Sequence, residues 1–202
     1  MDSPRKSARY HHGDLRAALL QAAERVLGET GLDAFSLRRV AKEVGVSHAA
    51  PAHHFGDVEG LLTALAAEAF RRFVQAMEAR QRDEAEPMAR LQASGLGYLD
   101  FARERPALFR LMFGWTRVIA DDPALEAAAE AAWRHLADGV AAVRGAHPSD
   151  DPSAHEAALA VWATVHGLAE LMSVGDLKMF AGHDGPARDA MVRRMVAQAV
   201  AV

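Results

Sequence analysis

The chain has 202 residues, of which half are hydrophobic and only 6% are aromatic, so it can bury a sizeable core in one or two domains. It has no cysteine, which excludes disulfide bonds and thiolate metal sites. The formal net charge of −4, taken over the whole chain, argues against a nucleic-acid partner.

The charge is unevenly distributed, however. Residues 1–56 contain eight Lys/Arg against six Asp/Glu, a net of +2, whereas the remainder has a net of −6. Five of the ten histidines also lie in the first part, where they can add positive charge near phosphates. The N-terminus has no apolar signal core and no stretch reaches membrane-spanning length, so we expect a cytoplasmic protein with no membrane partner.

Residues 1–12 are predicted to form a flexible arm. Its cations Arg5, Lys6 and Arg9 are spaced like a tail that lies along a phosphate backbone or in a minor groove. A solvated, disordered terminus without a binding role is an equally good interpretation of each of these residues.

A first helix is predicted from Asp14 to just before Gly31, because apolar residues recur there at helical spacing. The stretch from Phe35 to Phe55 then predicts two short helices joined by a tight turn. With the first helix they would share one small core.

Capping residues define this pair of short helices. Ser36 is a good N-cap for the first, and Gly45 follows it at the position where a left-handed backbone is wanted. Ser47 is predicted to cap the second, which has Pro51 near the end of its first turn and ends at about Phe55. The pattern is a helix–turn–helix, whose second helix enters a DNA major groove. The alternative is an ordinary helical hairpin in an all-α protein.

A long fourth helix is predicted to begin at Val58, with Asp57 as its N-cap, and to run for about 25 residues. At 1.5 Å per residue it would be about 38 Å long, which is too long for the small N-terminal core alone. We therefore predict a DNA-binding domain at residues 1–56, with a core that reaches about residue 66, and a second domain at residues 57–202.

Five further helices bring the predicted total to about nine and the fold class to all-α. The first three begin at Pro87, Pro106 and Pro123. Ser153 and Glu156 form a capping box for the next, and the last begins near Pro186.

Three strings in the first part carry a family resemblance, YHHGDLRAALLQAA, ETGLDAFSLRRVAKEVGVSHAAPAHHF and DVEGLL. Over residues 10–62 they resemble the DNA-binding domain of the TetR family of transcriptional regulators. ERPALFRLMF and WATVHGLAEL resemble the WHG-type C-terminal domain of a subset of these regulators, a match carried by Trp162, His166 and Gly167. The resemblance implies a homodimer, a ligand pocket in the second domain, and repression relieved by a small molecule.

The resemblance also implies DNA contacts, residue by residue. With the arm, the predicted DNA-binding residues are Arg5, Lys6, Arg9, Ser36, Arg38, Arg39, Ser47, His48, Ala49, Pro51, His53 and His54. The chain departs from the family at Ala52, where a Tyr is usual, and at Val58, where a Lys is usual. We therefore expect DNA binding either to be weaker than is typical or to depend more on the arm and on the helix dipole at Ser47. There is no Arg or Asn for bidentate base contacts, so the operator sequence cannot be predicted.

A largely apolar ligand cavity is predicted in the second domain. Its predicted lining residues are Leu91, Tyr98, Phe101, Phe109, Met112, Phe113, Trp115, Trp162, His166 and Ala169. Core packing is the competing and more common interpretation of each of them. On that interpretation His166 is a hydrogen-bonded core histidine, and Gly167 permits a close helix crossing.

The last two helices carry a second apolar face, which we assign to the dimer interface. Its predicted residues are Val161, Val165, Leu168, Met172, Val192, Met195, Val196 and Ala199. A two-fold four-helix interface would match a palindromic operator.

Enzyme and metal motifs are missing from the sequence, so we expect no cofactor. Adjacent histidines such as His53 and His54 point about 100° apart on a helix and cannot both grip one ion well. The stronger alternative to a DNA-binding repressor is a helical ligand sensor whose DNA contacts have degenerated, as Ala52 and Val58 suggest.

Overall fold

The computed structural model describes residues 12–114, 117–173 and 185–202. These residues form nine α-helices, which confirms the predicted all-α class. They are α1 His12–Thr30, α2 Leu37–Val44, α3 Ala49–Phe55, α4 Val58–Gln81, α5 Pro87–Glu104, α6 Pro106–Gly114, α7 Pro123–Arg144, α8 Pro152–Ser173 and α9 Gly185–Val200. None of the described helices is both long and apolar enough to cross a membrane.

Helix α2, which precedes the turn to α3, has the predicted capping residues at both ends. The Ser36 hydroxyl accepts the Arg39 backbone N–H at 3.4 Å, and Gly45 ends α2 with φ at 74°. In that left-handed conformation the Gly45 N–H still reaches the Ala41 and Lys42 carbonyls, so the chain reverses direction sharply.

The predicted Ser47 cap of α3 is wrong. The N-cap is His48, and no side chain caps the helix. His48 is already in the helical conformation, and the Ala50 N–H bonds to the Ser47 backbone carbonyl at 3.0 Å. The Ser47 carbonyl thus accepts one of the N–H groups in the first turn of α3, and the Ser47 hydroxyl does not act as a cap.

The predicted capping box of α8 is also wrong. The Asp151 carboxylate accepts the Ala154 N–H at 2.8 Å, and the Ser153 hydroxyl accepts from Arg144 at 2.6 Å instead. A carboxylate is the stronger acceptor at a helix N-terminus, so the helix begins two residues earlier than the Ser153 pattern indicates.

Helix α4 connects the two halves of the chain. Its 24 residues span about 36 Å, and the Asp57 carboxylate caps it by accepting the Gly60 N–H at 2.8 Å. Its early part, with buried residues such as Leu61 and Leu65, packs against α1 and α3, and its later buried residues, such as Phe73, belong to the second half of one continuous core. The domain division at residues 56 and 57 stays a prediction.

Helices α4 and α5 cross with their backbones in contact at Gly97. A Cβ atom on Gly97 would lie 2.7 Å from the Ala76 carbonyl oxygen and 2.7 Å from the Met77 Cα. Both neighbours are backbone atoms and cannot rotate away. Only glycine therefore allows this crossing.

The second apolar face of α8 and α9 packs inside the same subunit, against α5. A Cβ atom on Gly95 would lie 3.2 Å from a Val165 methyl and 3.1 Å from a Val196 methyl. Six of the residues predicted for the dimer interface are buried in this way: Val161, Val165, Leu168, Val192, Val196 and Ala199. Their assignment to a subunit contact is wrong, because their surface is already covered within the chain. Met172 and Met195 are half-buried.

Ion pairs and one carbonyl contact join the N-terminal helices to the rest. Glu24 of α1 binds Arg72 of α4 at 2.7 Å and Arg105, at the α5–α6 junction, at 2.6 Å. The Arg117 guanidinium donates to the Leu32 carbonyl at 2.8 Å. Glu24 is only partly exposed, so these pairs are less screened by solvent than most surface pairs.

We predict that Gly97→Ala destabilises the protein by about 1–3 kcal/mol, because the methyl group would collide with two backbone atoms of α4. Gly28→Ala in α1 is the matched control, since no atom lies within 4 Å of its added methyl. That variant should gain up to about 1 kcal/mol from helix propensity. Urea unfolding of both variants measures the difference. Equal shifts would contradict the close crossing.

Candidate functional site

One face of α3 is open to solvent. His48, Ala49, Ala52 and His53 are exposed, and their spacing of one, four and five residues places them on the same side of the helix. This face is short and carries two imidazoles. An exposed face on the second helix of a helix–turn–helix is the kind of surface that enters a DNA major groove.

Pro51 is not part of this face. The structure buries Pro51, whereas the sequence analysis placed it in the groove. A groove contact by Pro51 is therefore wrong, because its ring faces the interior of the three-helix unit. Ala52 lies on the exposed side of α3 instead, at the position where the family usually has a tyrosine.

Helix α2, which packs against α3, carries exposed cations. Arg38, Arg39 and Lys42 of α2 are exposed, and none of the ion pairs formed by the described residues involves them. Ser47 is exposed beside them, and His54 is half-buried. Ser36 is half-buried and its hydroxyl serves as the α2 cap. The predicted arm residues Arg5, Lys6 and Arg9 lie outside the described residues.

The end of α3 is held against α1 and α4. The Arg16 guanidinium of α1 lies 5.2 Å from the centre of the Phe55 ring, a cation–π distance. A Cβ atom on Gly60 of α4 would lie 2.0 Å from the Phe55 carbonyl oxygen. Only glycine therefore fits at position 60. Because the end of α3 packs directly on α4 there, the orientation of α3 depends on that of α4.

A cavity of about 190 Å³ lies between α4, α5, α6, α7 and α8. Its lining residues are Phe70, Phe73, Met77, Leu91, Ser94, Gly95, Tyr98, Phe113, Ala129, Ala132, Trp133, Leu136, Val161, Trp162 and Val165. Four of the predicted pocket residues are among them, namely Leu91, Tyr98, Phe113 and Trp162. None of these lining residues carries a charge.

The other predicted pocket residues lie elsewhere. Phe101 packs edge-on against Phe73 at 5.3 Å, and Met112 is buried. Phe109 lies 5.6 Å from His166 behind the cavity wall. Ala169 borders a separate groove between α5, α6 and α8, and Trp115 falls outside the described residues.

The walls that α4 and α7 contribute to the cavity were not predicted from the sequence. Phe70, Phe73 and Met77 recur at helical spacing in α4, and Ala129, Trp133 and Leu136 do so in α7. The spacing of these aromatic residues could have indicated that each helix has an apolar face. It could not show that the face of α4 and the face of α7 meet around one cavity.

Two hydroxyl groups give the cavity its polar character. The Tyr98 hydroxyl lies 2.7 Å from His166 Nδ1, and the Ser94 hydroxyl lies 3.1 Å from His135 Nε2. Burial raises the pKa of Tyr98 well above its ordinary value. Burial also lowers the pKa of His135, which disfavours its charged form. For both Tyr98 and His135, burial thus favours the uncharged group.

Residues of the WHG stretch lie beside the cavity. Trp162 is 38% exposed and lies 6.4 Å from Trp133, ring centre to ring centre, where the cavity meets the surface. His166 is a hydrogen-bonded, partly buried histidine, in line with the core interpretation. Gly167 has open space around its Cα, so the close crossing expected there is wrong within the subunit.

Comparison with known proteins adds to this geometry. A family model described as "Bacterial regulatory proteins, tetR family" matches residues 19–65, and one described as "Tetracyclin repressor-like, C-terminal domain" matches residues 91–199. The HTH-type transcriptional regulator BetI of Paraburkholderia phytofirmans is 31% identical over 149 residues, which cover 63% of this chain and 76% of BetI.

Solved structures agree with these matches. A protein of unknown function from Rhodococcus sp. RHA1 is 35% identical, with a TM-score of 0.75 over 96% of both chains. A TetR-like transcriptional regulator from the same organism shares the fold at 15% identity, with a TM-score of 0.66 over 96% of this chain and 99% of that one. The second family model alone spans more than half of the chain, and with the first it confirms the predicted family. The protein belongs to the TetR family of transcriptional regulators and is a DNA-binding regulator.

Proposed function

We propose that the protein is a ligand-responsive repressor that binds a palindromic operator as a homodimer. One observation carries this proposal. Helix α4 begins against the C-terminal end of α3 and, 12 to 19 residues later, lines the apolar cavity through Phe70, Phe73 and Met77. One helix thus contacts both the proposed recognition helix and a ligand-sized space.

DNA contact is proposed to combine base reading by α3 with phosphate contacts from α2. His48 and His53 can hydrogen-bond to base edges, and Ala49 can contact a thymine methyl. Arg38 and Arg39 are exposed beside this face and can neutralise phosphates. Residues 1–56 carry a net positive charge and the rest of the chain a net negative charge, which supports contact with DNA through the N-terminal part.

The dimer interface is proposed to use the outer faces of α8 and α9. Leu159 and Leu171 are 41% and 46% exposed, and they lie near Ala163 and Gly167 on the outer side of α8. The open space at Gly167 would let a second helix approach closely. Half-buried Met195 extends this apolar surface onto α9.

Regulation is proposed to be a shift between two conformations of the dimer. A ligand acts only if it binds one spacing of the two α3 helices more tightly than the other. The contacts of Glu24 with Arg72 and Arg105 would carry a movement of α4 or of the α5–α6 junction to α1.

A second candidate is a ligand sensor with weakened DNA binding. Ala52 lies on the exposed α3 face without the hydroxyl that the family usually offers to a phosphate, a hydrogen bond worth roughly 1 kcal/mol. Val58 is half-buried where a cation is usual.

Fluorescence anisotropy on DNA that flanks the protein's own gene separates the two functions. At two salt concentrations and against unrelated competitor DNA, a repressor shows specific binding that weakens steeply with salt. His48→Ala with His53→Ala should lower the specific affinity more than the competitor affinity. His147→Ala, in the loop between α7 and α8, is the matched control. Equal affinity for both DNAs at both salts would favour the sensor.

Val58→Lys should tighten DNA binding without changing sequence preference. The new ammonium would neutralise one more phosphate, so the salt slope should steepen by about one unit. The lysine stem can keep the apolar contact that Val58 makes with the core. Anisotropy at several salt concentrations measures the slope. An unchanged affinity would mean that the start of α4 does not face the DNA backbone.

Leu159→Glu with Ala163→Glu should convert the dimer into monomers, because four unpaired carboxylates would be buried at a two-fold contact. Ala124→Glu with Ala127→Glu adds the same charge to the exposed side of α7 and should leave the dimer intact. Light scattering gives the mass of each variant. A dimer that survives the α8 substitutions rules out this face as the interface.

A further inference from the structure

The size of the cavity limits what it can hold. Its volume is about 190 Å³. A protein cavity of about 150 Å³ holds one benzene molecule, whereas drug-sized ligands occupy roughly 300 Å³ or more. The cavity therefore has room for a single ring with a small substituent.

The cavity walls favour a flat aromatic ring. Phe70, Phe73 and Phe113 line one side, and Trp133 and Trp162 lie at the mouth. Neighbouring rings of the wall already meet edge to face, as Phe73 and Tyr98 do with their centres 4.7 Å apart. An added ring can continue the same edge-to-face packing.

Charge is excluded by the composition of the wall. No charged side chain is among the described lining residues, and burial disfavours the charged form of His135 behind Ser94. A carboxylate or ammonium group would lose its hydration here without gaining a counter-ion.

One polar group on the ligand would nevertheless find a partner. The Ser94 hydroxyl has one partner, a ring nitrogen of His135, and the Tyr98 hydroxyl has two, His166 Nδ1 and the Trp162 indole. A hydroxyl can form three hydrogen bonds, so both keep further hydrogen-bonding capacity. Whether that capacity is a donor or an acceptor depends on the histidine tautomer. A ligand hydroxyl suits both cases, because it donates and accepts.

We propose that the cavity binds an uncharged single-ring aromatic compound with one hydroxyl group, a simple phenol. This assignment deepens the ligand-responsive function proposed above and rests on it. It depends on the volume, the aromatic wall, the lack of charge among the described lining residues, and the two hydroxyls at Ser94 and Tyr98.

Isothermal titration calorimetry with four matched compounds tests the ligand class. The probes are p-cresol, toluene, 4-methylbenzoate and 4-methylbenzylammonium. We expect p-cresol to bind most tightly and toluene, which lacks the hydroxyl, to bind roughly 2- to 10-fold more weakly. The two ions should bind at least about 100-fold more weakly. An ion within tenfold of p-cresol, toluene equal to p-cresol, or no binding by any probe would overturn the assignment.

Two variants locate the binding. Ser94→Ala with Tyr98→Phe removes both hydroxyls with little change of shape and should bring the affinity ratio of p-cresol to toluene to about one. Ala132→Leu fills part of the cavity and should abolish binding of both. Thermal unfolding checks that each variant folds. If the double variant folds and keeps the wild-type ratio, the hydroxyls do not recognise the ligand and the assignment is wrong.

A separate readout keeps the two proposals apart. Anisotropy on operator DNA, with and without p-cresol, reports whether occupancy of the cavity alters DNA affinity. Selective binding of p-cresol with unchanged DNA affinity would leave the ligand class standing and remove the ligand-responsive function. Altered DNA affinity with 4-methylbenzoate alone would remove the ligand class and keep the function.

Discussion

The contact of the α4 and α5 backbones at Gly97 is the constraint on which the rest of the structure depends. Because no side chain separates the helices at this point, α4 cannot slide or rotate there independently of α5. Gly60 imposes a similar contact near the start of α4, against the Phe55 carbonyl of α3. The orientation of the recognition face is therefore set by the helix that also walls the cavity.

The cavity and the DNA-facing surface differ in chemistry as their proposed partners do. On α2, the cations Arg38 and Arg39 are exposed and have no ion-pair partner among the described residues. They are therefore available to bind the phosphates of DNA. Around the cavity, the hydroxyls of Ser94 and Tyr98 are paired with histidines and the remaining wall is apolar or aromatic. Glu24 lies between the two regions and binds arginines of α4 and of the α5–α6 junction.

Local patterns predicted the helices and several caps, because Ser36, Gly45 and Asp57 act through hydrogen bonds within a few residues of themselves. They failed where burial depends on distant partners. Pro51 is buried because of how α3 is rotated against its neighbours, which the spacing within α3 does not reveal. The valines of α8 and α9 form an apolar face, but only the missing side chain at Gly95 shows that α5 covers it. The α4 and α7 walls of the cavity likewise depend on contacts between two helices that are far apart in the sequence.

The central claim is that occupancy of the cavity changes the spacing of the two α3 helices through α4. The chain has no cysteine, so Ala52→Cys places one spin label per subunit on the exposed face of α3. Pulsed electron paramagnetic resonance then measures the distance between the labels of the proposed dimer, with and without p-cresol. We predict that the distance distribution shifts when p-cresol is bound. An unchanged distribution, at a concentration where calorimetry shows the cavity filled, would contradict it.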